Sequence, residues 1–199
     1  MEKASEHNRH PIKHLAIFAS GTGSNAQKII EYFRNSTLAT IDTIVCNKPG
    51  AGVLQVAEKE IIPVLMVEKK LFDESGYLEE LKKLHIDLIV LAGFLWKIPS
   101  KLIYAYQGKI INIHPALLPA YGGKGMYGNA VHIAVLEAKE KQSGITIHYV
   151  DDKYDHGEII FQKICPVDKD ETPESLAQKI HKLEHRYYPE QIEKLLNKI

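Results

Sequence analysis

The sequence predicts an α/β fold, a doubly wound, mostly parallel sheet of about seven strands with helices on both faces. Three observations carry that expectation. Between His14 and Ile113 short apolar runs recur that are of strand length and too solidly apolar to have one wet face, as in buried parallel strands. Longer amphipathic segments alternate with them, which gives βαβ units with right-handed crossovers. A glycine-rich turn, Ser20-Gly21-Thr22-Gly23-Ser24-Asn25, joins the first apolar run to the first amphipathic segment, where open α/β sheets hold ligands.

The expected strands are His14–Ser20, Ile41–Cys46, Pro63–Val67, Leu88–Ala92 and Lys109–Ile113. Between them helices are expected over Asn25–Arg34, Gly52–Glu60, Ser75–Leu84 and Pro99–Tyr106, most of them bounded by Gly, Pro, Ser or Asn. Ile145–Val150 and Ile159–Cys165, separated by a loop containing Gly157, add two strands at one side. Thr172-Pro173 then supplies an N-cap and a proline at the first helical position. The helix that follows carries an apolar stripe of Leu176, Ile180, Leu183, Tyr187, Ile192 and Leu195, with a bend expected at Pro189.

A chain of 199 residues suits one domain, here 14–199 after a tail at 1–13. Lys plus Arg and Asp plus Glu are both 25, so the basic excess of a phosphate-gripping nucleic-acid binder is missing. No apolar run is long enough for a membrane span, and the N-terminal tail lacks the character of a secretory signal. A cytoplasmic protein acting on small molecules, as a monomer or homodimer, is expected, with no nucleic-acid or membrane partner. Cys46 and Cys165 lie in apolar runs without metal-ligand spacing. They read as buried thiols, with a disulfide as the weaker alternative.

At the glycine loop, free N–H groups and the positive end of a helix would face a ligand, which suits a phosphate. With Ala26 the loop also fits the G-x-G-x-x-[G/A] dinucleotide pattern. The second strand, however, ends Cys46-Asn47-Lys48 without the acid that would hold a ribose. A single phosphate on a mononucleotide-like ligand is therefore the better guest. The competing reading is a tight turn with Ser24 as the helix cap.

Asn112-Ile113-His114-Pro115 closes the fifth apolar run. Alternation puts Asn112 and His114 on the same face of an extended chain. Pro115, Pro119 and Gly122-Gly123 then stiffen and turn the loop. An amide N–H and an imidazole presented together can stabilise an oxyanion and manage protons in acyl transfer. A carboxylate partner for His114 is available from Asp151, Asp152 or Asp155, among which spacing does not choose. A capped turn beside a solvated acidic hairpin explains the same residues equally well.

The ordered motifs SGTGSN, LAGFLWKIP, NIHPALLP and SGITIHYVDDKYDHGEII closely resemble the phosphoribosylglycinamide formyltransferase family, folate-dependent enzymes of de novo purine synthesis. The resemblance runs from about His14 to the final helix. It implies the formyltransferase fold and transfer of a formyl group from 10-formyltetrahydrofolate, the co-substrate, to the amine of glycinamide ribonucleotide. It further implies Asn112, His114 and Asp155 as the catalytic set. Thr22, Gly23, Ser24 and Asn25 would hold the substrate phosphate, and Glu184, within Glu184-His185-Arg186-Tyr187-Tyr188-Pro189, its glycinamide end. Leu95, Trp96, Lys97 and Ile98 would form the folate wall together with Asn112, and no metal is implied. On periodicity alone Glu184 reads as a surface charge.

Leu95-Trp96 departs from the Met-Arg of many members, and Gly122–Gly128 is longer and richer in glycine than the usual loop before the helix that contains His132 and Leu136. Lys124 on that loop reads equally as a ligand contact or as a solvated lysine. His148 alternates with core residues and reads as a satisfied near-core histidine. His132 is expected near the cleft, and His181 is placed to face the substrate one turn before Glu184. In the implied mechanism the amine attacks the formyl carbon, Asn112 and a protonated His114 stabilise the oxyanion, and Asp155 keeps His114 charged. Rival readings are a formyltetrahydrofolate deformylase, a methionyl-tRNA formyltransferase and a non-catalytic phosphate or folate binder. The first two normally carry an additional domain, and the third needs a lost catalytic residue, which this sequence does not have.

Overall fold

The structure is a computed structural model that describes residues 11–74 and 77–198. β1 (Lys13–Ala19), β2 (Ala39–Cys46), β3 (Val64–Met66), β4 (Leu88–Leu91), β5 (Ile110–His114), β6 (Gln142–Tyr149) and β7 (Ile159–Pro166) build one sheet, in the order β3-β2-β1-β4-β5-β6-β7. β1 to β5 pair in parallel, while β6 is antiparallel to β5 and β7 to β6. This is the mostly parallel, doubly wound sheet expected from the sequence. From β1 the sheet winds one way through β2 and the other way through β4, so the crevice beyond these strand ends is the natural ligand site.

The helices are α1 (Ser24–Phe33), α2 (Gly52–Glu60), α3 (Lys69–Asp73), α4 (Leu78–Lys83), α5 (Ser100–Ala105), α6 (Asn129–Glu137) and α7 (Pro173–Leu196). Consecutive residues of β1 explain why its run is apolar throughout. Ile17 points into the layer made with α1, α2, α6 and α7, whereas Phe18 points into the opposite layer with Phe72, Leu81 and Leu102. Both side chains are fully buried, and every such residue left in water would forgo roughly 1.5–3 kcal/mol.

Several boundaries differ from the expected ones for local reasons. Ser75 and Gly76, which open the expected Ser75–Leu84 helix, lie outside the described residues, and the described part is helical as α4. The short α3 was not expected, because five residues with only Phe72 buried are too few to show a period. α5 starts after Pro99, whose backbone is extended. β6 begins at Gln142 rather than Ile145, since Gly144 lets β7 close in: a Cβ there would stand 2.1 Å from the Lys163 carbonyl oxygen. Cys46 is buried, Cys165 is half-buried, and both are free thiols, so the disulfide alternative does not occur.

α7 starts as the sequence predicts. The Thr172 hydroxyl accepts from Ser175 N, the Ser175 side chain closes the reciprocal capping bond, and Pro173 occupies the first turn. Its buried row corrects the expected stripe, for it runs Leu176, Ile180, Glu184, Tyr188, Ile192. Leu183 and Tyr187 only flank the core. The i, i+4 row passes straight through a glutamate, which a search for apolar residues steps over. The helix continues through Pro189.

Candidate active site

Three strand ends meet at the crevice, and backbone bonds tie them together. Ser20 N donates to the Gly93 carbonyl at 3.0 Å, and the Ser20 hydroxyl accepts from Leu95 N at 3.0 Å. The glycine loop and the segment after β4 are thereby held side by side. Gly23 takes φ 82°, and a Cβ on it would lie 2.7 Å from Val53 Cα, so the loop is pressed against α2 in a conformation suited to glycine. Gly23, not Ser24, is the N-cap of α1, and no side chain caps the helix. The Ser24 cap expected in the competing reading is thus absent, and the first N–H groups of α1 are left without a side-chain acceptor.

The opposite wall comes from α7. The Tyr188 hydroxyl donates its one proton mainly to the Leu91 carbonyl at 2.9 Å, with the Ile111 carbonyl sharing it at 3.3 Å, which pins the helix to the end of β4 and to the neighbouring β5. One turn earlier Glu184, only 5% exposed, accepts from Asn25 Nδ2 at 2.9 Å. Burial pushes the Glu184 carboxyl up to about 7, with the Asn25 bond pulling weakly the other way. Asn25 Oδ1 is buried without a partner among the described residues, an acceptor in search of a donor. The surface charge read from periodicity is therefore a buried group.

Asn112 and His114 leave β5 on one face, and His114 is only 3% exposed. Its Nε2 lies 2.8 Å from the Tyr121 carbonyl, which can only accept, so Nε2 carries a proton. Nδ1 faces Asp155 Oδ2 at 3.6 Å, within ion-pair range and longer than a hydrogen bond. Burial is the largest influence on this imidazole and holds it below its ordinary value, against the opposing pull of Asp155 and the Tyr121 carbonyl. The expectation that Asp155 keeps His114 charged is thus corrected, because desolvation outweighs the carboxylate and the resting ring is neutral.

Of the three candidate acids, Asp151 binds the exposed His156 and Asp152 binds Ser100. Asp155 turns inward, accepting from Gly123 N at 2.9 Å and from Asn112 Nδ2 at 3.4 Å. Burial pushes its carboxyl up, while the Gly123 N–H and, whenever they are protonated, the His148 and His114 rings pull it down, leaving it below the usual value. Asp155 and Tyr121, the two groups facing the ring nitrogens of His114, both have left-handed backbones, at φ 51° and 57°. Such conformations cost of order 1–3 kcal/mol and persist where the surroundings impose them.

These groups border one cavity of about 680 Å³. Thr22, Gly23, Ser24, Asn25 and Glu184 line it together with Asn112, His114 and Asp155, and so do Leu95, Trp96, Lys97 and Ile98. Trp96 stacks edge-on with Phe94, while Lys69 Nζ sits 5.4 Å above its ring. Lys124 and His181 also reach the lining. Among the described residues no group of three or more His, Cys, Asp or Glu side chains is arranged to hold a metal. No described helix is long and apolar enough to cross a membrane.

Two further histidines line the cavity, His132 near the cleft as expected and His148 as the buried, hydrogen-bonded histidine that alternation suggests. His148 contacts Asn112 across the sheet at 3.1 Å, a pairing that alternation along β6 alone cannot reveal. His132 is buried with Nδ1 unpartnered among the described residues, and burial, then His181 and His114, press it down to about 4.

Comparison with known proteins gives the family. The formyl transferase family model matches residues 13–192. The phosphoribosylglycinamide formyltransferase of Bacillus subtilis is 42% identical over 191 residues, covering 93% of this chain and 95% of that protein. The crystal structure of glycinamide ribonucleotide transformylase 1 from Geobacillus kaustophilus aligns at a TM-score of 0.85 and 39% identity, over 93% of this chain and 99% of its own. That of phosphoribosylglycinamide formyltransferase from Bacillus halodurans aligns at 0.85 and 37%, over 92% and 95%. With a family match spanning both the glycine loop and the helix that carries Glu184, the chain belongs to the formyl transferase family.

Proposed function

We propose that the protein is a phosphoribosylglycinamide formyltransferase, which moves the formyl group of 10-formyltetrahydrofolate to the amine of glycinamide ribonucleotide in purine biosynthesis. One observation carries the reading: a single cavity is lined by an uncapped helix start, by the adjacent segment Leu95 to Ile98, and by Asn112, His114 and Asp155. The uncapped turn of Thr22 to Asn25 suits the substrate phosphate. Glu184 suits the glycinamide end, and Leu95 to Ile98 offer a wall for the pterin. Residues 14–199 form the single catalytic domain in this reading, and the enzyme works in the cytoplasm as a monomer or homodimer.

The amine attacks the formyl carbon, forming a C–N bond and turning the carbonyl oxygen into an oxyanion. Asn112 donates to that oxygen. Neutral His114 takes the proton of the attacking nitrogen at Nδ1, because Nε2–H is committed to Tyr121. The imidazolium so formed lies beside the Asp155 carboxylate, which stabilises it at the moment it appears. When the bond from carbon to the folate nitrogen breaks, His114 returns the proton to that nitrogen and the carbonyl is restored. No covalent enzyme intermediate is required.

Folate product is followed by absorbance with and without glycinamide ribonucleotide. Product is expected only with the amine present. Equal product without it would make the chain a deformylase, and none in either case would leave a binder.

A further inference from the structure

We propose that His148 is a positioning residue that locks the orientation of the Asn112 amide and so aims its N–H at the oxyanion. The inference rests on Asn112 being the oxyanion donor, as read above.

His148 stands directly opposite Asn112 in the β5–β6 register and is 2% exposed. Its Nδ1 lies 2.8 Å from the Tyr149 carbonyl oxygen. A carbonyl only accepts, so Nδ1 carries the proton, and in the neutral ring Nε2 presents a lone pair. That lone pair faces Asn112 Nδ2 at 3.1 Å. Only the NH2 end of an amide can answer it, since the reversed amide would set oxygen lone pairs against a nitrogen lone pair. The tautomer of His148 therefore decides which end of Asn112 faces the cavity.

The second N–H of Asn112 meets Asp155 Oδ1 at 3.4 Å, a long contact that a ligand oxygen can replace. His148 Nε2 is itself 3.7 Å from the same oxygen, too far to bond it. One amide proton is thus anchored and the other is left for chemistry. The carbonyl that sets the tautomer is held by a close approach as well. A Cβ on Gly157 would stand 1.9 Å from Tyr149 O, so the glycine two places after Asp155 lets the loop cross that oxygen.

The test is a double-mutant cycle in steady-state kinetics. His148→Phe keeps a ring but removes the acceptor, and kcat is expected to fall about a hundredfold with both KM values within a few-fold. His148→Gln, whose carbonyl oxygen can accept from Asn112, should recover part of that loss. On an Asn112→Ala background His148→Phe should cost little more. An equal further loss there, or a fully active His148→Phe beside an inactive Asn112→Ala, overturns the inference alone. A fully active Asn112→Ala overturns the reading beneath it and this inference with it. Nitrogen NMR of the unmodified protein at mildly alkaline pH provides a check that needs no variant to fold: His148 should be protonated at Nδ1, and a proton found at Nε2 instead overturns the proposal.

Discussion

Asn25 Nδ2 donates to Glu184 Oε2 at 2.9 Å, joining the first turn of α1 to the last helix across 159 positions of sequence. Because that carboxyl is buried and raised to about 7 from 4.5, its proton is linked to stability. Between these values the folded state holds more protons than the unfolded one, so stability falls as pH rises through the window.

Replacing Glu184 by Gln removes this dependence while keeping an acceptor for Asn25. Relative to the variant, the parent protein should be equally stable near pH 4.5 and lose about 3 kcal/mol by the time pH exceeds 7. Urea unfolding of both proteins across that range measures it, and a constant difference would contradict the buried carboxyl. The same variant should raise KM for glycinamide ribonucleotide more than KM for the folate.

Asp155 pulls the His114 imidazole upward against burial. In Asp155→Asn the ring loses that support, so the acid limb of the kcat–pH profile should move to lower pH while the plateau drops about a hundredfold or more. Turnover measured from acid to neutral pH checks both signs. An acid limb that moves upward would remove His114 as the base.

Trp96 borders the cavity and packs on Phe94. If it forms part of the folate wall, Trp96→Ala should raise the donor KM roughly tenfold, the cost of about 1.4 kcal/mol of aromatic contact. KM for the ribonucleotide should stay within twofold or so. The reverse pattern would assign Trp96 to the other substrate.

Gly23→Ala forces a side chain onto a φ of 82° with its Cβ 2.7 Å from Val53 Cα. A loss of about 2 kcal/mol or more in denaturant unfolding is expected, with weakened substrate binding because the loop must shift. Unchanged stability would mean that the turn relaxes without cost.

The sequence by itself determined the architecture and the polar strand end that borders the cavity. Solid apolar runs such as Leu88–Leu91 require a sheet covered on both faces, Thr172-Pro173 starts α7 where it begins, and the polar end of β5 is visible in Asn112-Ile113-His114. Those signals are local, carried by residues within a few positions of one another. Glu184, His148 and the charge state of His114 were decided by tertiary structure alone. Glu184 reads as solvated until α7 docks it against Asn25, and His148 reads as core until β6 pairs with β5 and sets it against Asn112. His114 reads as an ion-pair partner of a nearby aspartate until packing removes its water. Desolvation depends on which distant elements close over a group, and no periodicity in the chain encodes that.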